Sequence, residues 1–177
     1  MPPNPYVDPQ TIHNPATGTA PPASWGDGVR DALEALVRAP KARVARETDL
    51  VLAATTLTPV PWTVTRHQQA GNLIWTAANP TRLVAPWDGV YHYATHVTFP
   101  FIAASYAGLF PRVNGVTYVN DNYKPAGTVV GPSLEVADDL SLVAGDYLEV
   151  VAYAGAACTV IGSAVSMGAS MHWVGLL

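Results

Sequence analysis

From Trp62 to Leu177 short runs of β-branched and aromatic residues alternate with turn residues, and this rhythm limits the fold more than any other feature of the chain. Val90-Tyr91-His92-Tyr93-Ala94-Thr95-His96-Val97-Thr98-Phe99 is the longest run, and strand geometry puts Tyr91, Tyr93, Val97 and Phe99 on one face of it. Asp88-Gly89 is a turn signal ahead of that run. Asn114-Gly115 is a two-residue hairpin signal between Ala103–Val113 and Val116–Val119, and Ala144-Gly145-Asp146 separates Ser133–Leu142 from Tyr147–Tyr153. Trp62–Thr65, Asn72–Trp75, Thr159–Ile161 and Ser170–Leu177 complete the set. About eight strands with turns every 8–12 residues predict an all-β, antiparallel two-sheet jelly-roll sandwich over residues 62–177. Trp173-Val174-Gly175-Leu176-Leu177 is too apolar to fray, so the last strand is expected inside a sheet, and its removal is expected to unfold the domain.

The first third reads differently. Seven prolines fall within residues 1–23, which rules out both a continuous helix and a central strand. Residues 1–24 are therefore an extended arm. Its Tyr6, Val7 and Ile12 suit a segment that orders on a partner, while a solvated tail is the plainer reading. Residues 25–39 predict a short helix: Ser24 caps it, Pro40 stops it, and Trp25, Val29, Leu33, Leu36 and Val37 fall on one face. A helix this short is marginal alone, so its apolar stripe must dock somewhere. Residues 40–61 read as a β-prone connector, with Leu50–Leu52 and Thr55–Thr58 as short strands ended by Pro59 and Pro61.

Charge narrows the partners. Only 12% of residues are charged while 49% are hydrophobic, and Lys41 and Lys124 are the sole lysines. Average proteins carry roughly 25% charge. A surface so poor in charge suits one covered by copies of itself or by another protein. Net charge is −4 and the basic residues form no dense stripe, which excludes nucleic acid as a partner. No apolar run approaches the roughly 20 residues of a membrane span. Cys158 is the single cysteine, so no intrachain disulfide forms, and its apolar neighbours place it on a buried strand. Met1-Pro2-Pro3-Asn4-Pro5 lacks the pattern of a secretory signal, and folding in a cytoplasm is expected.

The residues that invite a catalytic or metal reading do not assemble one. On a strand His92 and His96 share a face but stand about 13 Å apart, too far for one ion. His172, beside Trp173 in the last strand, is expected to be a hydrogen-bonded structural residue rather than a catalyst. Asp138, Asp139 and Asp146 lack the ligand number of a calcium loop, and Asp146 is expected to bond its own turn. No Gly-x-Ser-x-Gly elbow and no phosphate-binding glycine loop occurs. We expect no catalytic residue, no cofactor and no metal. The aromatics Trp62, Trp75, Trp87, Tyr91, Tyr93, Tyr106, Tyr118 and Tyr123 either line a carbohydrate site or anchor the core and subunit interface.

Three segments carry a resemblance. Arg82-Leu83-Val84-Ala85-Pro86-Trp87-Asp88-Gly89-Val90-Tyr91-His92-Tyr93 resembles the F-x-A-P-x-x-G-x-Y-x-F signature of the jelly-roll superfamily of complement-type globular heads and tumour-necrosis-factor ligands. Leu140-Ser141-Leu142-Val143-Ala144-Gly145-Asp146-Tyr147-Leu148-Glu149-Val150 resembles its L-x-L-x-x-G-D-x-V segment, and Ser170–Leu176 its closing strand. The resemblance implies a compact homotrimer, with Tyr91, Tyr93, Val97, Phe99, Tyr147, Tyr153, His172 and Trp173 in its core or subunit interface.

Thr11–Ala20 followed by Ser24-Trp25-Gly26-Asp27-Gly28-Val29-Arg30-Asp31-Ala32-Leu33-Glu34-Ala35-Leu36 resembles the N-terminal modules of tailed-phage virion proteins, where a Pro-rich arm and a W-G-x-x-V-R-D-x-L-x-x-L helix precede an outward-facing domain. This resemblance implies a trimeric capsid decoration or head-fibre protein on the virion exterior. It would hold the major capsid protein lattice through Tyr6, Val7, Ile12, Trp25, Val29, Leu33 and Leu36. The alternative is a tail-fibre tip that recognises host-cell glycans.

Overall fold

The alternation that begins at Gly89 folds as a ten-residue strand in which every second residue is buried. The computed structural model describes residues 29–30, 33, 37–100, 106–117, 122–125 and 131–176. The chain divides into two units, Met1–Ala39 and Pro40–Leu177. In the first, Val29, Arg30, Leu33 and Val37 are helical.

The second unit is built of strands: β1 (Lys41–Ala45), β2 (Leu50–Leu52), β3 (Thr58–Pro59), β4 (Val64–Gln68), β5 (Arg82–Val84), β6 (Gly89–Thr98), β7 (Tyr106–Val113), β8 (Val116–Thr117), β9 (Asn122–Pro125), β10 (Ser133–Leu142), β11 (Tyr147–Ala154), β12 (Cys158–Val160) and β13 (Met167–Gly175). A first sheet runs β10-β6-β13-β1-β4; a second runs β3-β11-β7-β8, with β5 also on β11 and β9 on β7; β12 and β2 form a small third. Every pairing is antiparallel. This is a jelly-roll sandwich. β13 lies between β6 and β1, in the middle of the first sheet, as its apolar sequence predicts.

The core takes Tyr91, Tyr93, Val97, Leu134, Leu140 and Met171 from the first sheet and Leu109, Leu148 and Val150 from the second. Each large apolar side chain withdrawn from water contributes about 1.5–3 kcal/mol. Thr95, the buried polar residue of this face, donates its hydroxyl to the Gly168 carbonyl at 3.0 Å. The Asn114-Gly115 signal forms the expected hairpin: both residues have positive φ (53° and 79°), and Val113 pairs with Val116 across them.

Two expectations are corrected. Residues 40–61 are not a connector but part of the sandwich. β1 pairs with β13 and β4, β2 with β12, and β3 with β11, while Ala42, Val44, Leu50, Leu52 and Val60 are buried. The second short strand is Thr58–Pro59 rather than Thr55–Thr58; Pro59 does end it, on an edge position where a missing N–H costs no ladder bond. Asn72–Trp75 is not a strand. The Gln68 side chain bonds both the N–H and the carbonyl of Trp75, at 2.7 and 3.1 Å, so one amide side chain takes the place of a neighbouring strand.

Candidate functional site

The three segments that resemble the jelly-roll superfamily lie far apart in sequence and meet at one end of the sandwich. The Ala85 N–H donates to the Asp146 carbonyl, and the Gly145 N–H to the Ala85 carbonyl, both at 2.8 Å. The Ala144 N–H reaches Asp88 Oδ1 at 2.7 Å. Trp173 closes the junction: its Nε1 donates to the Asp88 carbonyl at 3.1 Å, and its ring meets Trp87 edge-on, with centroids 5.8 Å apart. Asp146 bonds its own turn, accepting the Val143 N–H at 2.9 Å, and also accepts from the Asn114 amide. These polar groups are satisfied within the chain, so the junction is architectural.

Within it the Tyr91 hydroxyl donates to the Trp87 carbonyl at 2.9 Å and accepts the Trp87 N–H at 3.1 Å. Burial pushes the phenol up to about 12, and the nearby Asp88 adds to the rise against the backbone bond. A raised folded-state pKa contributes stability in full below the ordinary value of 10.0, and that stability is lost as pH climbs toward 12. The loss should approach about 3 kcal/mol, at 1.36 kcal/mol per pH unit. Denaturant melts across this interval should show it, and Tyr91→Phe should flatten the pH slope. An equal slope in both proteins would refute the assignment.

The opposite face of the first sheet is a surface. Register fixes cross-strand rows on it: Lys41–His172–His92–Asp139, then Arg43–Ser170–Ala94–Ala137, then Gly168–His96–Glu135, with Ala45 opposite Gly168 but buried. The small side chains in the middle leave an open trough of about 570 Å³, lined by Arg43, Ala94, Glu135, Ala137, Gly168 and Ser170 among others. Arg43 stands on its β1 side and Glu135 on its β10 side, while Lys41 and Asp139 lie one row beyond it on the same two strands. At one end His92 Nδ1 lies 2.8 Å from Asp139 Oδ1, and the His92 and His172 rings are 5.2 Å apart. Burial lowers the His172 pKa, the neighbouring His92 lowers it further, and Asp139 opposes both.

No family profile and no curated protein sequence matches this chain. Solved structures do. Murine APRIL, crystallised at pH 8.0, superposes with a TM-score of 0.58 at 14% identity, over 76% of this chain and 98% of that one. The TNF protein Eiger from S. frugiperda gives 0.60 at 13% identity, over 79% and 96%. The globular domain of zebrafish complement 1qA gives 0.54 at 14% identity, over 78% and 98%. The chain has the TNF/C1q jelly-roll fold. At these identities the likeness is one of fold.

Against that fold the sequence-derived residues sort clearly. Tyr91, Tyr93, Val97, Phe99 and Trp173 are buried inside the single chain, so they are core and offer no subunit surface. Tyr147 and Tyr153 belong to β11 in the second sheet: Arg82 stacks over Tyr147 at 4.1 Å, and Tyr153 meets Phe110 edge-on. Of that set, only His172 lies on the trough face. On the helix Leu33 and Val37 are 58% and 71% exposed, and Val29 is partly so. Tyr6, Val7, Ile12, Trp25 and Leu36 lie outside the described residues. The sequence reading missed the trough because Ala94, Ala137, Gly168 and Ser170 carry no signal singly and come together only through register.

Proposed function

We propose that this chain is a non-catalytic structural protein of a virion, a homotrimer that decorates the capsid exterior. Its jelly-roll bodies pack on one another, and the N-terminal arm and helix bind the major capsid protein lattice. The observation that carries the reading is the division of labour between the two units. Pro40–Leu177 is a complete sandwich with a small-side-chain face, whereas Met1–Ala39 carries a helix whose Leu33 and Val37 are exposed. Exposed apolar residues on a short helix, here Leu33 and Val37, are stabilised by a partner that buries them.

The trough suits a second copy. Its sides carry opposite charge, Arg43 against Glu135, so the basic side of one copy faces the acidic side of the next in a head-to-tail ring. The number three comes from the resemblance to trimeric jelly-roll proteins, and the capsid from the resemblance of residues 11–36 to tailed-phage virion modules. The glycan-binding alternative finds less support, since Trp62, Trp75, Trp87, Tyr91 and Tyr93 are buried and, among the described side chains of that set, Tyr106 alone is exposed.

Light scattering on the full chain and on a chain starting at Pro40, followed by cosedimentation of each with purified capsids, tests the proposal. Both should have the mass of a trimer, and only the full chain should sediment with capsids. Monomers in both cases would remove the trimer. Equal sedimentation of both would remove the role of the arm and helix.

A further inference from the structure

We infer that His92 and His172 form a binding site for a divalent transition-metal cation, with Zn²⁺ as the ion the pair fits. The two residues are directly opposed across β6 and β13, with ring centres 5.2 Å apart and planes at 50°. Two imidazoles bound to one tetrahedral Zn²⁺ at Zn–N distances of about 2.0–2.1 Å have ring centres about 5 Å apart. The rings already stand at that spacing, with no strand movement required.

Asp139 supplies the second, independent observation. It faces His92 from β10, its Oδ1 2.8 Å from His92 Nδ1. The carboxylate accepts the Nδ1 proton and so selects the tautomer whose Nε2 lone pair is free. Carboxylate–imidazole pairs of this kind orient metal-bound histidines and raise their basicity. Imidazole ligands suit zinc, copper and nickel better than calcium or magnesium.

Access is open in the single chain, because the His92 side chain is 39% exposed and His172 is also exposed, and neither belongs to the lining of the trough. Among the described residues no three His, Cys, Asp or Glu side chains converge on one point. The chain therefore provides two ligands, and water completes the shell. Lys41 flanks His172 from β1, but it is exposed, and its long stem lets the ammonium turn to solvent. His96, on the same face, differs: its ring lies over Gly168, with Glu135 as its register partner on β10. It is the natural control. All the residues of the site come from one chain, so the site does not depend on self-association.

The test is a Zn²⁺ titration of the full chain by calorimetry, with the histidine ring resonances followed by NMR. One saturable ion per chain is expected, shifting His92 and His172 signals while His96 and His67 stay in place. His92→Ala or His172→Ala should weaken binding at least tenfold, Asp139→Asn roughly 10–100-fold, and His96→Ala not at all. If the His92→Ala/His172→Ala double variant binds Zn²⁺ as tightly as the parent, the binding belongs to His13 or other scattered groups and the inference fails. Absence of saturable binding overturns it equally. Should a variant fold poorly, the ring shifts of the unaltered protein still decide the matter.

Discussion

Replacing Gly89 by alanine is expected to abolish folding. Gly89 has φ of +149°, a region open to glycine and costly for any residue with a Cβ. An alanine Cβ there would lie 2.2 Å from Trp173 Nε1 and 2.3 Å from the Gly175 carbonyl oxygen. Neither atom can yield cheaply. Trp173 is held by its bond to Asp88 and its contact with Trp87, and the Gly175 carbonyl belongs to the strand where β13 shifts register against β6. The cost should exceed about 4–5 kcal/mol, against a total stability of about 5–15 kcal/mol for a typical domain. Soluble yield and near-ultraviolet circular dichroism would read the loss. Gly145→Ala is the matched control: φ is also positive, at +99°, but nothing lies within 4 Å of the new Cβ, so only about 1–2 kcal/mol of backbone strain is at stake. Similar melting temperatures for the two variants would refute this description of the junction.

Ala94→Arg is expected to separate the subunits without unfolding them. Ala94 lies mid-trough, opposite Ser170 on one side and Ala137 on the other. A guanidinium there is tolerable while the face meets water. Once a second copy covers the face, the long side chain fills the trough and its charge loses water, a cost that Glu135 on the trough wall offsets only in part. Light scattering should report a monomer with an unchanged far-ultraviolet spectrum. Val116→Arg, on the second sheet and 71% exposed at the start, should leave the mass unaltered. An Ala94→Arg protein that keeps the parent mass would move the contact surface elsewhere.

What the sequence discloses and what it hides divides along the range of the interactions. β6, β10 and the Asn114-Gly115 hairpin are readable because alternation and turn chemistry are local, and the structure has them at or near the expected residues. Alternation also marks Tyr91, Tyr93 and Val97 as sharing a face. It does not say whether that face meets the other sheet or another chain, and the aromatic bulk of Tyr91 and Tyr93 fills the interior. β1 was hidden because Ala42 and Val44 make only a short apolar pattern between charged residues, and its partners lie far off in sequence. The same limit hid His172 from His92. Spacing along one strand correctly separates His92 from His96, but nothing in a linear reading sets β13 against β6 so that Trp173 meets Tyr91 and His172 meets His92.

The placement of β13 between β6 and β1 also governs how the molecule can be made. Lys41 pairs with His172, so β1 leaves the ribosome long before the strand that completes its hydrogen bonds. Until then β1 and β6 each present an open edge toward the gap that β13 will fill. Such edges are templates for pairing with other nascent chains, and long-range pairings of this kind close slowly. During synthesis, crowding of polysomes and the supply of chaperones should therefore set the yield of native protein more than its final stability does.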